Sequence, residues 1–225
     1  MSERSISVRY GEAVQSFVEF ARTLTEEEWS THVPCTPLWT ARDVLSHVSG
    51  VPDDGLAGRL DGAATEPWTA SQVERNAEFG VDELLDRLLG QHELFGSAIE
   101  QMGEPRPPFD CHSHEHDVRQ AIGRPGNRGS EIIDDASLML PIALAELPVR
   151  LTIDFGDGPA AVVGAEDATA HAGLSISKFE MFRSRLGRRS RKQVRAYAWS
   201  GDEAAIEAAV DGWFMFGPTE TAIDE

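Results

Sequence analysis

One ten-residue stretch decides how the rest of this chain is interpreted: Asp110-Cys111-His112-Ser113-His114-Glu115-His116-Asp117-Val118-Arg119. Side chains four residues apart share one face of a helix, so Asp110 and His114 point the same way. That face continues through Asp117, Val118 and Ala121, and its mostly apolar character directs it toward a protein core. A buried carboxylate and a buried imidazole need partners, and a metal ion suits both. The stretch therefore predicts two metal ligands on one helix.

The composition limits the classes of partner. The chain has 225 residues and a formal net charge of −18, which is enough length for one large domain or two small ones. Binding a polyanion requires an excess of Lys and Arg, so the acidity argues against nucleic acid and against anionic membrane surfaces as partners. No window approaches the roughly 20 apolar residues that a membrane-spanning helix needs.

Two further features predict a cytoplasmic protein. The stretch from Met1 to Ser5 lacks the basic and then apolar run of a secretory signal. The two cysteines, Cys35 and Cys111, are too few for a disulfide framework. Cys111 points about 100° away from Asp110 around the helix, so we expect it to be a packed thiol rather than a nucleophile.

Helical periodicity predicts four helices before about residue 125. The predicted spans are residues 8–29, 40–51 and 71–102, with a linker over 52–69, and then the helix that carries the opening stretch. Thr40 followed three residues later by Asp43 is typical of a capping box at a helix start. Four-helix bundles build metal sites from side chains that face inward, which agrees with the opening stretch.

The sequence changes character after about residue 130. Residues 149–155 alternate like a strand, with a turn at 156–158 and a hairpin partner at 160–164. Further helices are predicted over residues 132–147, 176–186, 191–199 and 202–216. The fold class is therefore predicted as α+β, with an N-terminal four-helix bundle over residues 1–128 and a small C-terminal α/β domain over residues 129–225.

A third metal ligand is expected at His47, on the inward apolar face of the second predicted helix. A lone histidine on such a face is more often a satisfied core residue. Here Asp110 and His114 also face inward, from a helix expected to be a neighbour. Asp43, one turn before His47, is predicted to orient its ring, and Asp117 is predicted to hold His114 or Arg119, or to cap a buried network.

A rival pair lies on the same helix as the opening ligands. His112 and His116 are four residues apart, but they lie about 160° or more around the helix from His114. Because Arg119 and Gln120 continue their face, we expect that face to be exposed and the pair not to bind the metal. Trp39 is expected to be a core residue beneath the site.

Three motifs together resemble the mycothiol-dependent maleylpyruvate isomerase family, actinobacterial members of the DinB/YfiT-like metal-binding superfamily. The first is Pro34-Cys35-Thr36-Pro37-Leu38-Trp39-Thr40-Ala41-Arg42-Asp43-Val44-Leu45-Ser46-His47-Val48. The second is His114-Glu115-His116-Asp117-Val118-Arg119-Gln120-Ala121-Ile122-Gly123-Arg124-Pro125. The third is Gly187-Arg188-Arg189-Ser190-Arg191-Lys192-Gln193-Val194, with Trp199 to Asp202.

The resemblance implies a DinB-like four-helix bundle that binds a divalent metal, commonly zinc. The family's ligands are a histidine on the second helix and an acid and a histidine on the fourth, which fall on His47, Asp110 and His114. Family isomerases carry Glu where this chain has Asp110, and the shorter side chain reduces the reach by about 1.5 Å. In the third motif, Arg188 and Arg189 are candidates for binding an anionic substrate or thiol, with surface ion pairing as the alternative.

The resemblance also implies a reaction class, with mycothiol as cosubstrate. A thiol bound to a metal is deprotonated, and the thiolate would attack a small electrophilic substrate to give isomerisation or transfer of the sulfur. Two other functions use the same ligands. One is a hydrolase that activates water on the metal, and the other is a non-catalytic module that uses the metal or a ligand for folding or regulation.

Overall fold

The computed structural model describes residues 4–225 and divides into two compact units. One unit extends to Gly126 and the other runs from Asn127 to Glu225. The first three residues, which belong to the predicted N-terminal domain and to the stretch compared with a secretory signal, lie outside the described residues. The first unit is mainly helical and the second contains a small sheet, so the fold is α+β. Within residues 4–225, no helix combines the length and the apolar character needed to cross a bilayer.

The N-terminal unit is built from helices and one short hairpin. Its elements are α1 (Ile6–Ala21), α2 (Glu26–Trp29), β1 (His32–Val33), β2 (Thr36–Thr40), α3 (Ala41–Ala57), α4 (Glu66–Arg75), α5 (Val81–Met102) and α6 (Arg106–Ala121). α1 packs against α5 and α6, while α3 packs against α4, α5 and α6. Apolar side chains such as Phe17, Leu45 and Leu88 fill the space between them. This packing makes neighbours of α3 and α6, the helices that carry the predicted ligands.

α3 runs beyond its predicted end, through Pro52 to Ala57. A proline inside a helix removes one N–H donor and disturbs the preceding turn. The turns after it are held by ion pairs to neighbouring helices. Asp53 accepts a hydrogen bond from Arg87 of α5, and Asp54 accepts one from Arg75 of α4. Because Asp53 and Asp54 are polar, they do not continue the apolar periodicity of the helix. The helix predicted from the sequence therefore ends before them.

The single helix predicted over residues 71–102 is wrong, because the structure has two helices there, α4 and α5. The chain turns between them, where the Arg42 guanidinium of α3 donates to the backbone carbonyls of Asn76, Ala77 and Phe79. This one side chain satisfies carbonyls at the break between the helices. α4 itself begins inside the predicted linker.

The C-terminal unit combines a four-stranded sheet with short helices. Its elements are α7 (Glu131–Met139), a 3₁₀ turn (Leu140–Leu144), β3 (Arg150–Asp154), β4 (Ala161–Val163), β5 (His171–Ser175), α8 (Lys178–Arg185), α9 (Arg191–Arg195), β6 (Ala198–Gly201) and α10 (Glu203–Asp211). The strand order is β4-β3-β5-β6, with β3 parallel to β5 and the other pairs antiparallel. The predicted strand at residues 149–155 and its hairpin partner are confirmed. The helix predicted over 191–199 ends at Arg195, because Trp199 pairs with Leu174 across β6 and β5.

Gly55 marks a close approach between α3 and α5 and generates a stability prediction. A Cβ atom at Gly55 would lie 2.2 Å from Cε2 of the buried Phe95 ring. We expect Gly55→Ala to lower the free energy of unfolding by about 1–3 kcal/mol, because the helices must separate. Gly90→Ala is the control, since among the described residues no heavy atom beyond its chain neighbours and the adjacent backbone of its own helix lies within 4 Å of its Cβ position. It is expected to stabilise by roughly 0.5–1 kcal/mol. Urea denaturation measures both, and a stabilising Gly55→Ala would contradict this packing.

Candidate metal centre

α3 and α6 bring together the three predicted ligands, His47, Asp110 and His114. One ligand atom of each residue lies within 4.8 Å of the other two. Nε2 of His47 is 3.6 Å from Oδ2 of Asp110, and Nε2 of His114 is 3.6 Å from Oδ1 of the same carboxylate. The shorter acid at position 110 therefore still reaches both imidazoles. The Asp110 carboxylate lies between the two Nε2 atoms. This arrangement is compatible with three ligands that bind one ion.

Burial favours the neutral form of one ligand in this group, His114. The His47 and His114 side chains are 4% and 5% exposed, whereas the Asp110 side chain is 41% exposed. Burial lowers the pKa of His114 from its ordinary value, although the charges of Asp110 and Asp117 oppose that shift. The neutral imidazole is the form that coordinates a metal. Solvent reaches the group through the Asp110 carboxylate.

Asp117 lies beside the other ring nitrogen of His114. Its Oδ2 is 3.0 Å from Nδ1, an ion-pair distance that lacks the alignment of a hydrogen bond. A carboxylate at that position favours a proton on Nδ1 and leaves Nε2 to coordinate a metal. Asp117 thus lies next to His114, the first of its predicted partners.

The hydrogen bonds of the Asp43 carboxylate go to Thr40 and not to the His47 ring that it is predicted to orient. Its Oδ2 accepts hydrogen bonds from the backbone N–H and the hydroxyl of Thr40, at 2.9 and 2.8 Å. The capping box takes this carboxylate because the first turn of a helix leaves backbone N–H groups unsatisfied. Gln72 of α4 faces His47 instead, with Oε1 2.6 Å from Nδ1. Gln72 is the one buried residue within Glu66–Arg75, so no apolar stripe identifies it in the sequence.

Two tryptophans border the group. The Trp39 ring centroid lies 5.3 Å from that of His47 and 6.4 Å from that of His114. Trp68 of α4 meets the His47 ring edge to face, with centroids 6.3 Å apart. Trp39 is half-buried and not the core residue expected from the sequence. Both indole rings therefore pack against the ligand histidines.

Comparison with known families identifies the N-terminal unit. Residues 10–121 match the family model described as mycothiol maleylpyruvate isomerase N-terminal domain. The chain belongs to this family through that unit. The matched residues include His47, Asp110 and His114. No curated protein and no solved structure is similar enough to match the chain.

His112 and His116, which lie within the matched residues, are buried, so the prediction that their face is exposed is wrong. Their rings meet edge to face at 4.8 Å, and neither belongs to the ligand group around Asp110. Between them, Glu115 accepts hydrogen bonds from Ser16 of α1 and from Arg119. Burial raises the pKa of Glu115, but interactions with His112, Ser16 and Arg119 outweigh it and bring the pKa to about 2. α6 packs on α1 as well as on α3, and this buries both of its faces.

Cys111, also within the matched residues, is the packed thiol that the sequence predicts. It is buried and forms no disulfide. Burial, together with the charges of Asp110 and Glu115, raises the pKa of the Cys111 thiol well above its ordinary value. The side chain therefore stays protonated at neutral pH and is a poor nucleophile.

Arg188 and Arg189 lie in the C-terminal unit, outside the residues that match the isomerase domain. Arg189 is buried and pairs with Glu180 at 2.5 Å and with Glu225 at 3.2 Å. The Arg188 guanidinium donates to the Leu186 carbonyl at 2.6 Å. Arg189 thus has acidic partners, but its ion pairs are buried and not at the surface, where the alternative predicts them.

The ion pair of Arg189 makes stability depend on pH. Burial raises the pKa of Glu180, but hydrogen bonds from Arg189 and Tyr197 outweigh it, so the pKa is lowered from 4.5. A carboxyl group with a lowered folded pKa stabilises the fold above its unfolded pKa, and this contribution is lost as the pH falls through the folded value. We expect Glu180→Gln to lower the free energy of unfolding by about 2 kcal/mol at pH 7. The gap in stability between the variant and the unmodified protein should narrow once the pH falls below 4.5.

Denaturant titrations across pH measure the gap between Glu180→Gln and the unmodified protein. Glu203→Gln is the control, because Glu203 is 73% exposed and its ion pair with Arg195 lies on the surface. We expect it to change stability by less than about 1 kcal/mol. A loss for Glu180→Gln that stays constant from neutral to acidic pH would contradict the role of the ionised carboxylate.

Proposed function

We propose that this protein is a metal-dependent enzyme that uses mycothiol to isomerise, or transfer sulfur to, a small electrophilic substrate. One observation carries the proposal: His47, Asp110 and His114 converge within the residues that match the mycothiol maleylpyruvate isomerase N-terminal domain. Two imidazoles and a carboxylate form a donor set typical of catalytic zinc sites, where three protein ligands leave a position for another molecule. We take zinc as the ion.

The proposal extends to the architecture. α1, α3, α5 and α6 are taken as a DinB-like four-helix bundle, supported by the packing of α1 and α3 each against α5 and α6. The bundle and the C-terminal α/β region are taken as two domains, over residues 1–128 and 129–225. The division of the chain after Gly126 supports a boundary close to that position.

The described side chains suit a divalent cation. Nε2 of each histidine faces Asp110, and Nδ1 of each faces another residue, Gln72 or Asp117. One carboxylate against a dication leaves a net positive charge, which attracts an anionic ligand such as a thiolate. Asp110, being partly exposed, lies where a second molecule would approach.

Each residue of the site has a distinct task in this proposal. A divalent ion held there would keep a bound thiol in its thiolate form, the nucleophile needed to attack an electrophilic carbon. His47, Asp110 and His114 hold the ion. Trp39 and Trp68 shield the ligand histidines from water, which strengthens electrostatic interactions inside the site.

Metal content and a cobalt titration test the proposal. We expect the purified protein to bind about one equivalent of Zn²⁺ or Co²⁺, consistent with the single ligand group described. His47→Ala, Asp110→Ala and His114→Ala are each expected to weaken binding by more than the 10–100-fold typical of residues that only orient a ligand. His32→Ala, at an exposed histidine of β1, is the control and should bind normally. Adding mycothiol to the cobalt protein should produce a sulfur-to-metal charge-transfer band.

The outcomes separate the candidate functions. Metal binding without a thiol-dependent band would overturn the thiol chemistry and leave hydrolysis or regulation. Normal metal binding in all three alanine variants would overturn the site assignment. Loss of metal binding in the three variants, together with the thiol-dependent band in the unmodified protein, would support both the site assignment and the thiol chemistry.

A further inference from the structure

A buried series of hydrogen bonds, which we call the relay, runs from the surface of the N-terminal unit to His47. At its outer end, Arg59 and Arg75 line an open cleft of about 450 Å³ and donate to Oδ1 of Asp54, at 2.7 and 2.6 Å. Asp54 is only 1% exposed, and its Oδ2 accepts from Nε2 of Gln72 at 2.8 Å. Oε1 of Gln72 then lies 2.6 Å from Nδ1 of His47.

The direction of each hydrogen bond in the relay is fixed from the surface inward. A guanidinium group can only donate, so the carboxylate of Asp54 accepts from both arginines. An ionised carboxylate has no proton to give, so Gln72 must present its NH₂ group to Asp54. The amide oxygen of Gln72 is therefore turned toward His47. Since that oxygen can only accept, Nδ1 of His47 must carry the proton.

The proton on Nδ1 of His47 determines whether its other ring nitrogen, Nε2, can bind a cation. A neutral imidazole has one N–H, so a proton on Nδ1 leaves a lone pair on Nε2. That nitrogen is 3.6 Å from Oδ2 of Asp110, on the side of the three converging ligand atoms. The opposite tautomer would direct an N–H group there and exclude a cation.

We propose that Gln72, Asp54, Arg59 and Arg75 are positioning residues that hold His47 in the Nδ1–H tautomer, with Nε2 available for a metal ion. The inference rests on the proposed function because it concerns the same centre. It assigns a task to α4, a helix that buries one side chain within Glu66–Arg75 and contributes it to the relay.

The surroundings of Gln72 are shaped to hold it in place. A Cβ atom at Gly50 of α3 would lie 2.7 Å from Cβ of Gln72, so the glycine lets the glutamine approach. One turn further along α4, the buried Asn76 donates to the backbone carbonyl of Ser46 at 2.7 Å. Asn76 therefore attaches the end of α4 to α3 without contacting His47, which makes it a matched control.

Nitrogen-15 NMR of the metal-free protein tests the relay directly. Long-range correlations between ring protons and ring nitrogens distinguish the two tautomers, and the His47 signals are identified by their loss in His47→Ala. At a pH where the ring is neutral, we expect Nδ1–H for His47 in the unmodified protein and in Asn76→Ala. We expect Gln72→Ala to lose this preference and to bind Co²⁺ 10–100-fold more weakly.

A pair of compensating substitutions at Gln72 and Asp54 tests whether the effect of Gln72→Ala comes from the lost hydrogen bonds or only from disturbed packing. Gln72→Glu alone sets a second carboxylate against Asp54 and should disturb the site. Combined with Asp54→Asn, it restores an acceptor for the Nδ1–H group and a donor behind it. We expect the double variant to recover the Nδ1–H tautomer and most of the Co²⁺ affinity.

An Nε2–H tautomer in the unmodified protein would overturn the relay. An unchanged tautomer in Gln72→Ala, or equal losses in Gln72→Ala and Asn76→Ala, would also overturn it. Because the tautomer is read without metal, these results leave the proposed function standing. Conversely, an unmodified protein with the Nδ1–H tautomer that binds no metal would overturn the proposed function and leave the relay intact.

Discussion

Two imidazole rings held almost out of solvent, both facing one carboxylate, are the constraint on which the N-terminal unit depends. A buried polar group is costly unless each of its donors and acceptors is matched. Nδ1 of His47 is matched by Gln72, and Nδ1 of His114 lies 3.0 Å from the Asp117 carboxylate. The Nε2 sides converge on Asp110, where a cation would complete the arrangement. The supporting residues on α3, α4 and α6 thus all serve the same two rings.

α6 meets this constraint by carrying polar residues on two faces. One face presents Asp110 and His114 toward α3, and the other presents Glu115 toward Ser16 of α1. The Glu115 network is closed by Arg119, whose guanidinium also lies over an aromatic ring of α1. Because each face has specific partners, rotation of α6 about its axis would separate Asp110 from His47 on one side and break the hydrogen bond from Ser16 to Glu115 on the other. The network away from the metal group therefore helps to fix the orientation of the ligands.

The sequence predicts the features that follow a repeating local rule. The i, i+4 spacing of Asp110 and His114 and the inward face that carries His47 rely only on helical geometry. The strand at residues 149–155 and its hairpin partner likewise follow from alternation and a turn.

The remaining features depend on contacts between distant residues, which leave no local pattern. Gln72 and Asp54 lie on polar helical surfaces, where nothing in the hydrophobic periodicity marks them as buried. Two local patterns assign Asp43 different partners, because it is spaced to cap the helix with Thr40 and also lies one turn before His47. In the structure it caps the helix. His112 and His116 look exposed on a helical wheel that assumes one buried face, and α6 has two.

A crystal of the protein soaked with Zn²⁺ and measured at the zinc absorption edge would show whether His47, Asp110 and His114 bind one ion. We expect one anomalous peak within the N-terminal unit, bonded to Nε2 of His47, to the Asp110 carboxylate and to Nε2 of His114. Gln72 and Asp117 should remain beside the two Nδ1 atoms. A fully occupied peak elsewhere, or coordination of His47 through Nδ1, would contradict this expectation.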